Sequence, residues 1–394
     1  HKFQKERMIN MEIKQLGEIA TSAINQIMGV DYITELNDAN IVDVGKDIAD
    51  SNRVDAVMRT LNSMIGKLEI QTGVYKKKLK SLFVDSWEWG GFLERVYCDL
   101  ESVSDSLMWS LTDGRDYSKE EHTYHKPKVS AKIFEESKAI MTTISMGTEQ
   151  FKEAFRSMDE LNKYATMVRT NMRNTMNVAL DSLAHALLSS AVAVSDKAIG
   201  NSVHLLSECI TNGILTEGAT VNDFMKNKDA LAYACKRIAD VREYMTGINK
   251  TYNNGNLATF CEDADIVLLH DFKSTVDYFV RPTNYQDLVN VDGETIIAWQ
   301  GTSVDETHKY DFGSLSKIKI SADATNKLGI GTGAVEINNV VALVKDRRSI
   351  GICPYKEKST TSYTACADFW NEYLQILVNY ILDANFSMVA FIID

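Results

Sequence analysis

The chain has 394 residues, 45% of them hydrophobic, with 42 basic and 54 acidic side chains and a formal net charge of -12. That length holds two or three cores, and the composition is that of a folded protein rather than a disordered or fibrous one. The acidic balance argues against a surface that grips phosphate backbones, because such binding is driven by lysine and arginine displacing counterions. Cys98, Cys209, Cys235, Cys261, Cys353 and Cys366 show no paired spacing and read as reduced, buried small apolar residues. No apolar run approaches the roughly 18 residues needed to cross a bilayer, and the amino end lacks the blocks of a signal peptide, so the chain is expected to be made and kept in the cytosol.

Along the chain, Ile9, Ile13, Leu16, Ala20, Ala23 and Ile27 predict a helix that Gly29 ends. A second helix is predicted over 52–65 from Val54, Val57, Met58, Leu61 and Ile65. Both precede any plausible sheet and read as an arm that needs something else to pack on. From Leu68 to Lys126 the character changes. Lys76, Lys77, Lys78 and Lys80 form a basic cluster, Trp87 and Trp89 follow, and Gly90-Gly91 and Asp113-Gly114 are turn signals. With too few apolar residues for its own core, this stretch is expected to project as an extended, hairpin-like loop. Two tryptophans on such a loop are costly in water unless they dock on a partner; the alternative is that they fold back on their own subunit.

Val129 to Phe134 reads as a strand leading through a polar turn into the central element. Between Gly147 and Gly200 there is neither glycine nor proline, and apolar residues recur in steps of three and four from Phe151, Ala154 and Met158 to Leu183 and Leu187. One long helix from Thr148 to Ile199 is predicted, with Thr148 as N-cap and Gly200 as the left-handed stop; a break at Ser189 and Ser190 is the alternative. Even the shorter form is a rod of roughly 60 Å. Compact enzymes rarely need such a rod, whereas an elongated subunit packing sideways on its copies does.

Beyond Gly200, Val203 to Ile210 reads as a short helix and Phe224 to Tyr244 as a longer one. Ile266 to Leu269, Ile296 to Trp299 and Val340 to Val344 read as strands, Thr275 to Val280 is a further apolar run, and Gly301 to Gly333 is a glycine-punctuated loop. This alternation fits an α+β or α/β domain of about 140 residues. The chain from Ile350 is again strand-rich. Its closing apolar run, Phe386 to Ile393, must enter a sheet, expected to be the one beside the long helix, which makes the middle domain an insertion.

Motifs of catalysis are sparse. Gly329 to Ala334 fits a loose G-x-G-x-x-A pattern without the helix that should follow, and reads as a flexible turn. His122 and His125 beside Glu120 and Glu121 have a spacing that can hold a metal, but read as surface histidines. Glu262, Asp263 and Asp265 with His270 and Asp271 can bind a cation or supply a general base; the competing reading is a solvated strand edge whose charges discourage pairing. No cofactor is expected.

The order of parts resembles the major capsid protein of tailed double-stranded DNA bacteriophages, with the Hong Kong 97-like fold, and within that group the small podophages of the picovirus type. The stretches that carry the resemblance are Asn40 to Gly45, Glu94 to Asp99 with the polar run to Tyr117, Gly147 to Leu183, Lys345-Asp346-Arg347, Tyr363 and Trp370-Asn371. The resemblance implies an α+β chain divided into an N-terminal helical arm (1–67), an extended loop (68–126), a peripheral domain with the spine helix (127–199), an axial domain (200–346) and C-terminal peripheral strands (347–394). It also implies a structural subunit and not an enzyme, self-assembling into pentamers and hexamers of an icosahedral virion head. Such a head is assembled in the host bacterial cytoplasm with a scaffolding protein and a portal at one vertex. It encloses double-stranded DNA without sequence-specific binding and involves no membrane. Lys76, Lys77, Lys78, Lys80, Trp87 and Trp89 are then candidates for noncovalent contacts between subunits. Two rival readings are an encapsulin-type protein compartment and a cytosolic α/β enzyme with its acidic site near Asp265 and His270.

Overall fold

The computed structural model describes residues 18, 20–29, 32–50, 53, 56–57, 60, 79–83, 93–98, 129–134, 137–147, 156–255, 257–262, 264–279, 296–299, 318–364, 366 and 369–394. In the arm, residues 20–28 are helical, with Ala20, Ala23 and Ile24 fully buried, and Gly29 at φ 136° lets the chain leave the helix. Helix α1 (Ile41–Asp50) buries Ile41, Val44 and Ile48 at i, i+3 and i+7. The sequence reading does not include it, because Gly45 in its interior weakens the helical signal. Of the helix expected over 52–65, residues 53, 56, 57 and 60 are described, of which the last three are helical and Arg53 is not.

Strands β1 (Leu93–Cys98) and β2 (Val129–Phe134) pair antiparallel. Where a polar turn is expected next, there is an eleven-residue strand, β3 (Ser137–Gly147). The long helix, α2, runs from Met158 to Ala193 and continues as a widened turn to Ile199. It therefore starts later than Thr148: Arg156 is in a turn and Ser157 precedes the first helical residue. Ser157-Met158-Asp159-Glu160 has the S-x-x-E spacing of a capping box, which outweighs the apolar periodicity that Phe151 and Ala154 continue upstream. At the other end the expectation holds. Gly200 sits at φ 72° and its N–H reaches the Ser195 carbonyl, while Ser189 and Ser190 stay helical. Part of this helix, Thr170–Ile199, is after all long and apolar enough to cross a bilayer, but 67% of its apolar window is buried in the protein, as in a core helix.

The chain divides into two compact units. One comprises His1–Lys78, Ser137–Asp181 and Pro354–Val378; the other comprises Leu79–Glu136, Ser182–Cys353 and Asn379–Asp394. In the first, a three-stranded sheet has the order β10 (Ile350–Thr364), β11 (Phe369–Leu382), β3. Ser145 donates to Asn371 at 2.6 Å, and the Tyr363 and Trp370 rings lie 5.0 Å apart. Between Trp370 and Leu374, both buried, stands Glu372, whose carboxyl burial raises to about 7 against a bond from Ser359 that opposes the shift.

The second unit holds β4 (Ser202–His204), α3 (Leu205–Thr211), α4 (Val221–Lys226), α5 (Lys228–Thr246), β5 (Ala264–Leu269), α6 (His270–Phe279), β6 (Ile296–Trp299), β7 (Ile318–Ile320), α7 (Ala322–Lys327), β8 (Val335–Ile337), β9 (Val340–Asp346) and β12 (Met388–Ile392). The single helix expected from Phe224 to Tyr244 is two, because Asn227 caps the second by accepting from the N–H groups of Asp229 and Ala230. Likewise Val203 belongs to a strand and the short helix begins at Leu205, and part of the expected 301–333 loop forms β7 and α7.

Five strands form the main sheet in the order β4-β12-β9-β5-β6. The three inner strands are buried at every residue, as continuous apolar runs should be when both faces are covered. Here the terminal run departs from expectation. Instead of joining the sheet of β3, β12 lies between β4, to which it is parallel, and β9, to which it is antiparallel. The buried Ser195 hydroxyl at the end of the long helix fixes it there, accepting from Ala390 N at 3.0 Å and donating to Met388 O at 3.3 Å.

Asp265 also departs from the solvated-edge reading. It sits on β5, flanked by β6 and β9, in register with Lys345, and both side chains are fully buried. Lys345 Nζ donates to Asp265 Oδ2 at 3.1 Å and Arg347 Nε to Oδ1 at 3.3 Å. Burial pushes the Lys345 ammonium below the ordinary lysine value, against the pull of Asp265. Truncating one member of such a pair leaves the other charge stranded. Lys345→Met is therefore expected to cost about 3–5 kcal/mol in urea unfolding, and Lys345→Met with Asp265→Leu much less; equal losses would count against the pair. Glu372 gives a pH dependence: its raised value means stabilisation that is complete in acid and lost as pH rises through about 7. Thermal melts of Glu372→Gln should accordingly overtake wild type from pH 6 to 8 by roughly 1–3 kcal/mol.

Candidate functional site

Strict alternation decides which face of the β1–β2 ribbon meets the protein. Arg95 and Tyr97 point inward; Glu94, Val96 and Cys98 point out, beside Ile133, Ala131 and Val129 across the ladder. The charged Arg95 lies against the body beside the buried Tyr97 and Phe134, while three apolar side chains face solvent: Val96 is 62% exposed, Ile133 56% and Val129 54%.

The cause is Asp383, fully buried in the turn that joins β11 to β12. Its carboxylate accepts from Arg95 Nη1 at 3.1 Å, from the Tyr97 hydroxyl, and from the Asn385 N–H at 3.2 Å. Arg95 Nη1 also donates to the Arg348 carbonyl at 2.8 Å. The Phe386 ring lies between two guanidinium groups, with Arg95 at 5.2 Å and Arg348 at 4.8 Å from its centre, and meets Tyr97 edge-on. Arg348 is itself held by both oxygens of Asp346 and donates to the Phe260 carbonyl at 2.8 Å. Burial, then the bond to Asp383, raises the Tyr97 phenol well above its ordinary value of 10.0. The cluster bolts down the two strands that bracket residues 99–128. Chemically it is an anchor, because the Asp383 carboxylate is taken by Arg95, Tyr97 and Asn385 and the Asp346 carboxylate by Arg348.

Of the contact candidates read from the sequence, Lys76, Lys77, Lys78, Trp87 and Trp89 lie outside the described residues, as do Glu120, Glu121, His122 and His125. Lys80 is described by its backbone alone, in a short 3-10 turn between the buried Leu79 and Leu82. Arg95, Tyr97, Asp383 and Phe386 are not candidates on sequence alone, because nothing local in Glu94-Arg95-Val96-Tyr97-Cys98 tells that Arg95 and Tyr97 face a buried carboxylate nearly three hundred positions away.

The rival acidic site loses its base, since the Asp265 carboxylate is taken by Lys345 and Arg347. Of His270 only the backbone is described, as the first residue of α6. Among the described residues no cluster of three or more His, Cys, Asp or Glu is placed to hold a metal. Four cysteines are buried as expected, but Cys98 and Cys366 are exposed, and all six are free thiols. Gly329 and Gly331 take φ 69° and 146° in a plain turn before β8.

A polar cleft of about 590 Å³ lies between β4, α3 and α5. In it Glu208 pairs with Arg237 at 3.2 Å and accepts from Tyr233. On its rim Ser202 Oγ is 3.2 Å from His204 Nε2, and His204 Nδ1 is 2.5 Å from Asp394. His204 and Asp394 are 47% and 51% exposed, so this is a solvent-screened surface pair rather than a desolvated relay.

Compared with known proteins, residues 16–392 match the family described as Phi29-like phage major capsid protein. A search of curated proteins found no match. Among solved structures, a chain from the capsid structure of Staphylococcus phage Andhra is similar with a TM-score of 0.55 at 12% identity, covering 83% of this chain and 86% of that one. A chain from a structure of the head fiber and inner core protein of native bacteriophage P68 is similar with a TM-score of 0.54, at the same identity and coverages. The α+β arrangement is thus that of phage capsid proteins with the Hong Kong 97-like fold.

The Tyr97 bond makes stability fall with alkali. The folded state keeps the phenol proton that the unfolded chain loses near 10, so the contribution is whole below that value and drains away above it. Tyr97→Phe is expected to cost about 1–2 kcal/mol at pH 7 and to remove as much as ~1.4 kcal/mol per pH unit of the decline above pH 10. Chemical denaturation at pH 7, 10 and 11 checks both; parallel declines in the two proteins would exclude the assignment.

Proposed function

This chain belongs to the Phi29-like phage major capsid protein family, and from that premise we propose how a structural capsid subunit of this sequence closes a shell. Copies assemble into pentamers and hexamers of an icosahedral head that encloses double-stranded DNA. The observation that carries this is the family match across residues 16–392, almost the whole chain. The arm (1–67) and extended loop (68–126) reach over neighbouring copies, the peripheral domain (127–199 and 347–394) forms the wall, and the axial domain (200–346) lies at capsomer centres, its sheet completed by β12.

Two features support a lateral role for the loop. Its root presents an apolar face to solvent, which a monomer has no use for. Its basic cluster, Lys76, Lys77, Lys78 and Lys80, is set in a chain of net charge -12, so acidic surface on an adjacent copy is its nearest complement. Trp87 and Trp89 would supply the apolar anchors of the same contact. Each exposed ion pair contributes only about 0–1 kcal/mol, and repetition round a closed shell makes the total cooperative. The acidic surface leaves packed DNA loosely held and free to move out. A scaffolding protein directs curvature, a portal interrupts one vertex, assembly takes place in the host bacterial cytoplasm, and no catalytic step is involved.

The test is expression of the chain alone and with scaffolding and portal proteins of the same phage, followed by electron microscopy and nuclease treatment. Closed particles of uniform size, with nuclease-resistant DNA after packaging, are expected. Particles that hold only protein cargo would favour the encapsulin-type compartment, and small oligomers at every concentration would sink the shell. Replacing Lys76, Lys77 and Lys78 together by Ala should lower particle yield and flatten its salt dependence.

A further inference from the structure

Alternation sorts the side chains of the three-stranded sheet of β10, β11 and β3 onto two faces. The Tyr363 ring lies against Trp370 and the Ser359 hydroxyl bonds the Glu372 carboxyl, so odd residues of β10 share a face with even residues of β11. Trp370, Leu374 and Val378 are buried on that side, which makes it the inner one. The contacts of Ser145 with Asn371 and of Met141 with Gln375 bring the odd residues of β3 and β11 together on the other side. There Met141 is 55% exposed, and Ala139, Thr143 and Ser145 on the same strand are exposed with it.

This outer face has no acid on it. From β11 it shows Asn371, Tyr373, Gln375 and Leu377, all half-buried, and from β10 it shows Lys356, Lys358, Thr360 and Ser362. The acids of these strands, Glu357 and Glu372, lie on the inner side. Lys356 and Lys358 are exposed, on the strand at the edge of the sheet, and among the described residues neither has an ion-pair partner in its own subunit. In a chain with 54 acidic side chains against 42 basic ones, two unpaired lysines on a surface free of acid are a charge that the subunit itself does not answer.

Charge selects the occupant. Every copy of this chain carries a net -12, so a face that is basic and neutral attracts a second copy where most of the surface repels it. Double-stranded DNA fits less well. Two lysines neutralise at most two phosphates, and Met141 and Leu377 give a phosphate nothing to bond. A protein surface uses both parts, with apolar contact at Met141 and ion pairs at the lysine rim. Residues 139–145 across three strands cover roughly 300 Å², at about 3.4 Å per residue and about 4.8 Å between strands. That is well under the ~800 Å² per partner of a standard stable interface. Such a contact does not hold a dimer alone; it adds to others round a closed shell. Resting on the shell reading, we infer that the outer face of the β10-β11-β3 sheet, with Lys356 and Lys358 at its edge, receives acidic surface of a second copy of this chain.

Carbodiimide crosslinking of particles grown from an equal mixture of normal and heavy-isotope subunits tests this, because the reagent joins a lysine amine only to a carboxylate already beside it. Peptides that pair Lys356 or Lys358 of one isotope with an acid of the other are expected in particles and not in free subunits. In parallel, Lys356→Glu combined with Lys358→Glu should leave the circular dichroism of the free subunit unchanged, both side chains being exposed. It should lower particle yield about tenfold at equal subunit concentration and low salt. Links confined to one isotope, links to scaffolding protein alone, protection of the two lysines from acetylation only in DNA-filled particles, or normal assembly of the glutamate variant would each overturn the contact and leave the shell reading standing. Failure of the wild type to form particles with its phage partners would overturn the shell reading and this contact together.

Discussion

A carboxylate without solvent must find donors inside the protein, and Asp383 finds them on β1. That requirement decides the orientation of the β1–β2 ribbon. Left to the hydrophobic effect alone, Val96, Val129 and Ile133 would turn inward, each worth about 1.5–3 kcal/mol if fully buried. Turning the ribbon over would strand both Asp383 and Arg95, at about 3–5 kcal/mol for a broken buried pair, and would remove the Arg95 guanidinium and the edge-on Tyr97 ring from Phe386. Sums of this size nearly cancel in an isolated chain. In the proposed shell a neighbouring surface laid over the outer face would tip the balance toward the observed orientation and tie the geometry of one subunit to the presence of others.

The same logic runs through the main sheet. Lys345 and Asp265 face each other across β9 and β5 with no solvent at either side chain. An apolar pair of equal volume would hold the strands as well or better. What the ion pair adds is register, since a slip of one residue would set Lys345 beside Ala264 or Ile266 and leave two charges unpaired in the core. Correct register on β9 in turn places Asp346, the next residue, where it holds Arg348 against the Phe260 carbonyl and the Phe386 ring. The sheet and the loop root are thereby coupled through four consecutive residues, Lys345 to Arg348.

Sequence carried the parts of this fold whose causes are local. Continuous apolar runs gave β5, β9 and β12, and the buried side of the long helix follows from Met172, Met176, Leu183 and Leu187. Gly200 was legible because only a left-handed stop explains a lone glycine after so long a run. β3 was not, because Ser137 to Gly147 mixes threonine and serine with apolar residues and exposes Met141. The destination of β12 and the burial of Asp265 were hidden for a different reason: both depend on partners far along the chain, Val340 to Lys345, and nothing near Asp265 reveals whether its charge points into a core. The anchor at Asp383 is the same kind of case, with Arg95 and Tyr97 nearly three hundred positions away.

A shell of acidic subunits has to reconcile repulsion with closure. At physiological salt, charges are screened beyond roughly 8 Å, so copies of this chain repel only on close approach, where apolar contact also begins. Short-range attraction then has to come from patches that are apolar or basic, which in the proposed shell are the outward face of the β1–β2 ribbon and the lysine cluster before it. Weak individual contacts have an advantage in such a system. A subunit held by one or two of them can leave and re-enter, whereas a subunit held on all sides cannot, so errors are removed during growth and the closed shell persists.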